Sequence, residues 1–410
     1  MAESTVQISG HIIDSLILPK VLDLIVNLGA EFEILEIQVG HRRVDRSYAR
    51  IRVEAPSPEA LDHVLGKIRE HGALPEQVED ESVKLEPAPA DGVFPDHFYA
   101  TTNLETWVRL ENRWIPVEFI EMDCGIRVDP RAGKARCVPM HRVVQGDLVV
   151  VGHLGVKVVP LERPQSRAVF EFMASPVSTE QPKGLLIREI AELMQRARRD
   201  NGRILVVAGP GLVHTGASKY LVELIENDYV QVLFAGNGLA VHDIESVLYG
   251  TSLGVYLDKK IRASEGHEHH LWAINRVRRA GGIRQAVEQG LIQKGILYSC
   301  VKKGVEVVLS GSIRDDGPLP DVITDTLTAQ DVMREKSRGI SLALMMATTL
   351  HAIATGNLLP ASVKTVCVDI NPAVVTKLTD RGTFQALGLV TDVEPFLREL
   401  CGYLELKVSP

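Results

Sequence analysis

Ile204-Leu-Val-Val-Ala208, followed by Gly209-Pro210-Gly211-Leu-Val-His214-Thr215-Gly216-Ala217-Ser218, is the stretch on which the fold turns. Five consecutive apolar residues read as a strand buried on both faces, the kind a parallel sheet uses. The glycine-rich turn behind it runs into an amphipathic helix. Strand, turn and helix start together make an anion site: glycines let the backbone approach a pyrophosphate, and free N–H groups with the helix dipole attract its charge. A tight turn without a ligand has the same sequence, and the spacing is not G-x-G-x-x-G, so the turn alone decides little.

Its surroundings repeat the arrangement. From residue 184 onward helices alternate with short apolar strands at Val230–Ala235, Val305–Leu309 and Val363–Asp369. That pattern is a parallel α/β sheet. A dinucleotide fold ends its second strand with Asp or Glu for the ribose hydroxyls. Here the strand ends in Gly236-Asn237-Gly238, so Asn237 is the candidate for that role; a plain Asn-Gly turn is the competing reading. The third strand opens into Ser310-Gly311-Ser312-Ile-Arg-Asp315-Asp316-Gly-Pro-Leu-Pro-Asp321 and the fourth into Asp369-Ile-Asn-Pro372. A solvated loop explains any one of these endings. Four buried strands all ending in Gly, Asn, Ser or Asp mark a ligand-binding edge. The apolar run Ile340–Thr355 is too short to span a membrane and is expected to be a buried core helix.

The N-terminal half reads differently. Val6–Ile13 is a strand, Pro19–Leu28 a helix, Leu35–Val39 and Ala49–Val53 half-buried strands, Ser57-Pro58 the cap of a helix ending at Gly72, and Val83–Leu85 a closing strand. The order β-α-β-β-α-β predicts a ferredoxin-like α+β module over residues 1–90. Short β-type runs between Trp114 and Pro160 predict a β-rich substrate-side unit over 91–165, and the proline-rich 163–183 a linker. The fold class is therefore α/β: a Rossmann-like domain over 184–410, preceded by those two modules.

With 410 residues, 45% hydrophobic and 24% charged, the chain has ordinary globular composition and room for several cores. A net charge of −8 without single-sign blocks gives no footprint for nucleic acid. There is no signal-like start or membrane segment, and the five cysteines have no metal or redox spacing, so a cytoplasmic location is expected. The stretch Glu265-Gly-His267-Glu-His269-His270 lacks H-E-x-x-H spacing; it is read as a helix start with solvated histidines, and no metal is expected. Acid–base candidates in the N-terminal half are Asp123 and His141, each beside a strand end, with Arg127 and Lys157 as cations. Cys124 is expected to be core.

Four stretches together carry a resemblance: Phe98-Tyr-Ala-Thr101-Thr102-Asn103, Met122-Asp123-Cys124-Gly-Ile126, Gly236-Asn237-Gly238-Leu-Ala-Val-His242-Asp243-Ile-Glu245 and Ser310–Asp321. The chain resembles the lysine-oxoglutarate reductase/saccharopine dehydrogenase (LOR/SDH) conserved-domain family. That family includes archaeal-type ornithine cyclodeaminases and the C-terminal part of a cyanobacterial arginine dihydrolase/ornithine cyclodeaminase fusion. The arginine-hydrolysing domain is absent, so arginine is not an expected substrate. The resemblance implies NAD-dependent conversion of L-ornithine to L-proline and ammonia. Hydride leaves the α-carbon, the δ-amine attacks the imine carbon, ammonia departs, and the cyclic imine is reduced. It implies Gly209, Gly211, His214, Thr215, Gly216, Asn237, Gly238, Ser310, Gly311, Ser312, Asp315 and Asp369 at the cofactor. Substrate-side candidates are Asn103, Thr102, Asp123, Arg127, His141 and Lys157, with Arg127 or Lys157 holding the carboxylate. A small amino-acid substrate, no nucleic acid, no membrane and a homo-oligomer complete the expectation. Two alternatives stand: an NAD-dependent dehydrogenase of saccharopine or lysine type, and a non-catalytic NAD or amino-acid sensor, motivated by the ferredoxin-like module.

Overall fold

The computed structural model describes residues 2–13, 17–41, 45–69, 71–75, 82–159, 183–257, 266–315, 317–380 and 386–408. The proposed linker at 163–183 lies, but for its last residue, outside them, as do Glu265 and Asp316. The chain forms two compact units, 1–174 with 359–362, and 175–358 with 363–410.

The first unit holds two sheets with separate cores. Strands β1 (Ala2–Gly10), β2 (Glu31–Gln38), β3 (Ser47–Ala55) and β4 (Leu74–Pro75), with helices α1 (Ile17–Asn27) and α2 (Pro58–Arg69), make a sheet of order β2-β3-β1-β4. This is the ferredoxin-like order. Strand β3 alternates buried and half-buried residues along its length, and Ile51 and Val53 pack with Val21, Ile25, Val64 and Ile68 of the helices. Ser57 Oγ accepts the Ala60 N–H at 3.2 Å and starts α2, as an N-cap serine should. Two expectations fail here. The strand at 83–85 does not close this sheet: β5 (Lys84–Pro87) pairs with β10 (Leu148–Val151) of the next one, and β4 closes the first. Strand β2 is not half-buried either, because at the sheet edge its Phe32, Ile34 and Ile37 stay exposed.

The second sheet adds β6 (Thr106–Leu110), β7 (Arg113–Glu118), β8 (Gly125–Asp129), β9 (Lys134–Val138) and β11 (Val156–Val158), in the order β11-β6-β7-β9-β8-β10-β5. Val108, Ile126, Val128, Ala135 and Val150 form its core.

The second unit is a doubly wound α/β sheet. In chain order it comprises α3 (Lys183–Arg199), β12 (Arg203–Ala208), α4 (Gly211–His214), α5 (Ser218–Glu226), β13 (Val232–Gly236), α6 (Asn237–Tyr249), the short hairpin β14 (Thr251–Ser252) and β15 (Val255–Tyr256), α7 (His269–Ala280), α8 (Ile283–Glu288) and α9 (Ile296–Lys303). There follow β16 (Glu306–Ser310), β17 (Val322–Ile323), α10 (Thr326–Lys336), β18 (Ile340–Met346), α11 (Leu350–Leu358), β19 (Lys364–Asp369), α12 (Pro372–Asp380), β20 (Ala386–Val390) and α13 (Val393–Tyr403). The sheet runs β17-β16-β13-β12-β18-β19-β20, parallel at every pairing. Alternate residues such as Ile204, Val206, Leu233 and Leu344 pack against α3, α5, α6, α9 and α13. Their neighbours Leu205, Val207, Phe234 and Met345 are also fully or almost fully buried, so both faces are covered, as the continuous apolar strands required. The run at 340–355 is not one helix. Its first seven residues are β18, hydrogen-bonded on both sides, and α11 starts only at Leu350. A short apolar run cannot be assigned by periodicity alone; the central slot in a parallel sheet takes it as a strand.

Candidate active site

The sheet order places the site. From β12 the chain moves outward through β13 and β16, then returns beyond β12 to β18 and moves the other way through β19 and β20. Connections leaving β12 and β18 in opposite directions open a crevice at their C-terminal ends, where such folds bind ligands. Two turns meet there. Gly209 donates its N–H to Met346 O at 2.9 Å, and a Cβ at 209 would overlap the Ala347 carbonyl oxygen. Glycine is thus required at 209 by the neighbouring turn. Ala347 itself holds φ at 51°, a left-handed conformation that is costly for a residue with a side chain. Gly211 opens α4, and Gly216, at φ 78°, turns the chain out of it.

The chemistry at this edge fits a dinucleotide. Neither α4 nor α6 has a side-chain cap; in α4 the N–H groups of Leu212 and Val213 are spent on Gly209 O and Pro210 O, which leaves Gly211 there and the first turn of α6, Gly238 included, to meet an anion. Asp369 ends β19 and accepts the Asn371 N–H at 2.8 Å. In the loop after β16, Asp315 Oδ2 accepts the Ser312 N–H at 2.8 Å and Ser312 Oγ accepts the Arg314 N–H at 3.2 Å. Gly311 donates to Ile323 O at 2.9 Å, and a Cβ there would sit 3.2 Å from that oxygen. Ser310 lies at the strand end against Met333 Sδ, 3.7 Å away.

Three of the expected cofactor residues are engaged inside the protein. The buried Asn237 takes the Leu319 N–H on its Oδ1 at 3.1 Å, tying the loop after β16 to the start of α6. Thr215 donates its hydroxyl to Leu212 O at 3.3 Å. His214 Nδ1 bonds Ser252 Oγ at 2.7 Å and its ring meets His242 edge-on at 4.8 Å. Burial, then the neighbouring His242, pushes the His214 pKa down to about 4, against the pull of Glu245. Behind it stands a buried polar network. Glu245 accepts from His242 Nδ1 (2.8 Å), Thr251 Oγ1 (2.9 Å) and the N–H groups of Leu253 and Gly254. Burial opposes the Glu245 anion, and these bonds outweigh it, holding the carboxyl below its usual range. Thr251 Oγ1 also bonds His269 Nδ1 at 2.8 Å. His269 is therefore buried and partnered, not solvated: the hairpin β14–β15 packs over the helix start that carries it.

In the first unit, two of the resemblance-bearing stretches lie side by side. Thr101 Oγ1 donates to Glu121 O at 2.6 Å and accepts the Cys124 N–H at 3.1 Å, while Thr101 N bonds Cys124 O and Asp123 N bonds Thr101 O. Thr101 thus staples residues 101–103 to 121–124. Asp123 is exposed, at φ 63°. Thr102 Oγ1 accepts the Leu104 N–H at 3.3 Å. Asn103 is 1% exposed, and neither its Nδ2 nor its Oδ1 has a hydrogen-bond partner among the described residues. An orphaned buried amide is uncommon and costly. Cys124 is core, as expected, with its thiol 3.1 Å from Glu121 Oε1. Contact with Cys137, burial and the Glu121 carboxylate all push that thiol up, so it stays protonated.

The other candidates are scattered. Arg127 on β8 pairs with Asp147 at 3.4 Å, and His141 sits in the short 3-10 turn Met140–Arg142. Lys157 lies on β11, four strand positions from β8, with its Nζ 5.8 Å from the Trp114 ring centre. Two residues at these places have no sequence motif that marks them. Glu121, buried beside Cys124, lacked any motif. His351 follows the misread strand β18, and a Cβ on Gly236 would come within 2.9 Å of its Cε1. Recognising 340–346 as a strand would have placed His351 at the sheet edge.

Comparison with known proteins covers almost the whole chain. Residues 3–104 match the LOR/SDH bifunctional enzyme conserved region, 105–187 the first region of the arginine dihydrolase ArgZ-like C-terminal part, and 188–400 its Rossmann-fold region. An ornithine cyclodeaminase of Methanopyrus kandleri is 55% identical over 97% of this chain and 96% of its own length. The crystal structure of apo ArgZ, an arginine dihydrolase from the cyanobacterial ornithine-ammonia cycle, superposes with a TM-score of 0.87 at 40% identity, over 98% of this chain and 58% of that longer one. A ternary complex of AgrE with ornithine and NAD+ matches at 39% identity and a TM-score of 0.54, over 98% of this chain and 57% of that one.

Proposed function

The chain belongs to the LOR/SDH-region, ArgZ-like C-terminal family, and from that premise we propose that it is an NAD-dependent ornithine cyclodeaminase, converting L-ornithine to L-proline and ammonia. One observation carries the reading. A sheet with the strand order of a dinucleotide fold, its switch point lined with open N–H groups, lies in a chain that aligns over 97% of its length with an ornithine cyclodeaminase. NAD, when bound, supplies the acceptor and later the donor of one hydride.

The protein's own residues do the rest. Gly211 and the first turn of α6, with Gly238, hold the pyrophosphate through backbone N–H groups, and Gly209 allows the close approach of the turn. Ser310, Ser312, Asp315 and Asp369 line the same edge, while His214, Thr215 and Asn237 shape it from within. In the first unit the unpartnered amide of Asn103 offers a donor and an acceptor to the amino-acid head group, with Thr102 beside it. Asp123, held out by its left-handed backbone, suits the δ-ammonium, and His141 is the candidate for moving protons. Arg127 is the better carboxylate clamp, since Lys157 is stacked on Trp114 at the far side of the sheet. We also take the chain to be a homo-oligomer of small-molecule function, supported by the exposed Phe32, Ile34 and Ile37 on edge strand β2.

Incubating the protein with ornithine and a small amount of NAD is expected to give many equivalents of proline and ammonia per NAD, without net NADH. NADH accumulating in step with product would instead show an ordinary amino-acid dehydrogenase, and binding without turnover a sensor.

A further inference from the structure

Ordinary dinucleotide folds end their second strand in an acidic residue that binds the adenosine ribose hydroxyls. Here the corresponding strand, β13, ends in Gly236. The next residue, Asn237, has given its side-chain oxygen to Leu319 N. No side chain fits at 236 without a shift, because a Cβ would lie 2.9 Å from His351 Cε1 and 3.8 Å from its Nδ1. His351 arrives from the opposite half of the sheet. It sits in the first turn of α11, which follows β18 and packs across both β12 and β13. Its ring is half-buried, and neither nitrogen has a hydrogen-bond partner among the described residues. Gly236 is the register partner of Ser310, where β16 ends, and Asp315 folds back onto that loop by accepting the Ser312 N–H; burial lowers the His351 pKa, and the Asp315 carboxylate opposes that shift. A neutral imidazole offers one donor and one acceptor, the pair a vicinal diol needs.

We propose that His351, reaching over Gly236, takes the ribose-recognition role that the end of the second strand holds elsewhere, and that Asp315, on the loop leaving the neighbouring strand β16, rejects a 2′-phosphate. The proposal rests on the reading of this edge as an NAD site. It also explains why β13 ends in glycine: the recognising side chain comes from another strand connection and needs the space. A 2′-phosphate would bring about two negative charges toward the Asp315 carboxylate, which is repulsive at close range.

The test is direct binding, measured by calorimetry with NAD, NADP and the NAD analogue lacking the adenosine 2′-hydroxyl. Wild type should bind NAD roughly tenfold more tightly than the deoxy analogue, the value of a buried hydrogen bond. His351→Ala should bind NAD about tenfold more weakly and no longer distinguish it from the analogue. His351→Gln, which keeps a donor and an acceptor, should recover part of the difference. Asp315→Asn should raise NADP affinity relative to NAD about tenfold. An Ala variant that binds NAD like wild type, or still prefers it to the deoxy analogue, overturns the role of His351. Unchanged NADP affinity relative to NAD in Asp315→Asn overturns the role of Asp315. Failure of the wild type to bind NAD at all would overturn the functional reading instead.

Discussion

Two buried asparagines make an instructive pair. Asn237 and Asn103 are 5% and 1% exposed, and both stand in stretches that carry the family resemblance. In the cofactor sheet, Asn237 has its oxygen bonded to Leu319 N and fixes a loop. In the β-rich unit, Asn103 has both side-chain polar atoms buried and without a partner among the described residues, although its backbone carbonyl is held by Ala361 N at 2.8 Å. Residue type is the same; the state of the amide differs, and it is this difference that leads us to propose a structural tie for Asn237 and a binding role for Asn103. A satisfied buried amide contributes to stability when kept, whereas an orphaned one costs stability and is retained for a partner that arrives later.

Substitutions should split the pair. Asn103→Ala is expected to lower kcat/KM for ornithine by roughly 30- to 100-fold, about 2–3 kcal/mol, with NAD affinity and thermal midpoint preserved or the midpoint slightly raised. A clear loss of midpoint would make Asn103 structural and erase the contrast. A third buried group, Asp243 of α6, sharpens it from the charged side. Its carboxylate accepts the Ile296 and Leu297 N–H groups at 3.0 and 2.9 Å, yet burial pushes its pKa up to about 6 against those bonds. The folded state therefore keeps its proton to higher pH than the unfolded chain. The stability this supplies is full below about pH 4 and is lost as pH rises through about 6, on the order of 3 kcal/mol. Denaturant titrations should show that slope in wild type and not in Asp243→Asn.

Asn237→Ala should come next, destabilising the protein by about 1–2 kcal/mol by stranding a buried N–H, with NAD binding weakened through the loosened loop. Weaker NAD binding at unchanged stability would return Asn237 to direct ribose contact. The smallest effect is expected from Lys157→Met, below about twofold in kcat/KM, since the amine stacked on Trp114 contributes at most about 1 kcal/mol. A large loss there would mean that the substrate carboxylate is held from β11 after all.

The same contrast separates what was legible in sequence from what was not. Continuous apolar strands ending in Gly, Asn, Ser and Asp announced the parallel sheet and its ligand edge, because burial on both faces leaves a compositional mark. β18 was misread because its apolar run continues into an apolar helix, and with it went His351. The ferredoxin-like order was readable from alternation, but its last strand, Leu74–Pro75, is only two residues long and leaves no pattern. Glu121 and the orphaned state of Asn103 had no local signal. They depend on Thr101 bringing together segments 20 residues apart.

The central claim is that a hydride is borrowed from the substrate's α-carbon and returned to the same carbon. Ornithine deuterated at that position, turned over with unlabelled NAD in ordinary water, tests it most directly. Proline retaining deuterium at C2, as seen by mass spectrometry and proton NMR, is the expected result. Proline carrying only solvent hydrogen at C2, or deuterium accumulating in free NADH, would contradict it.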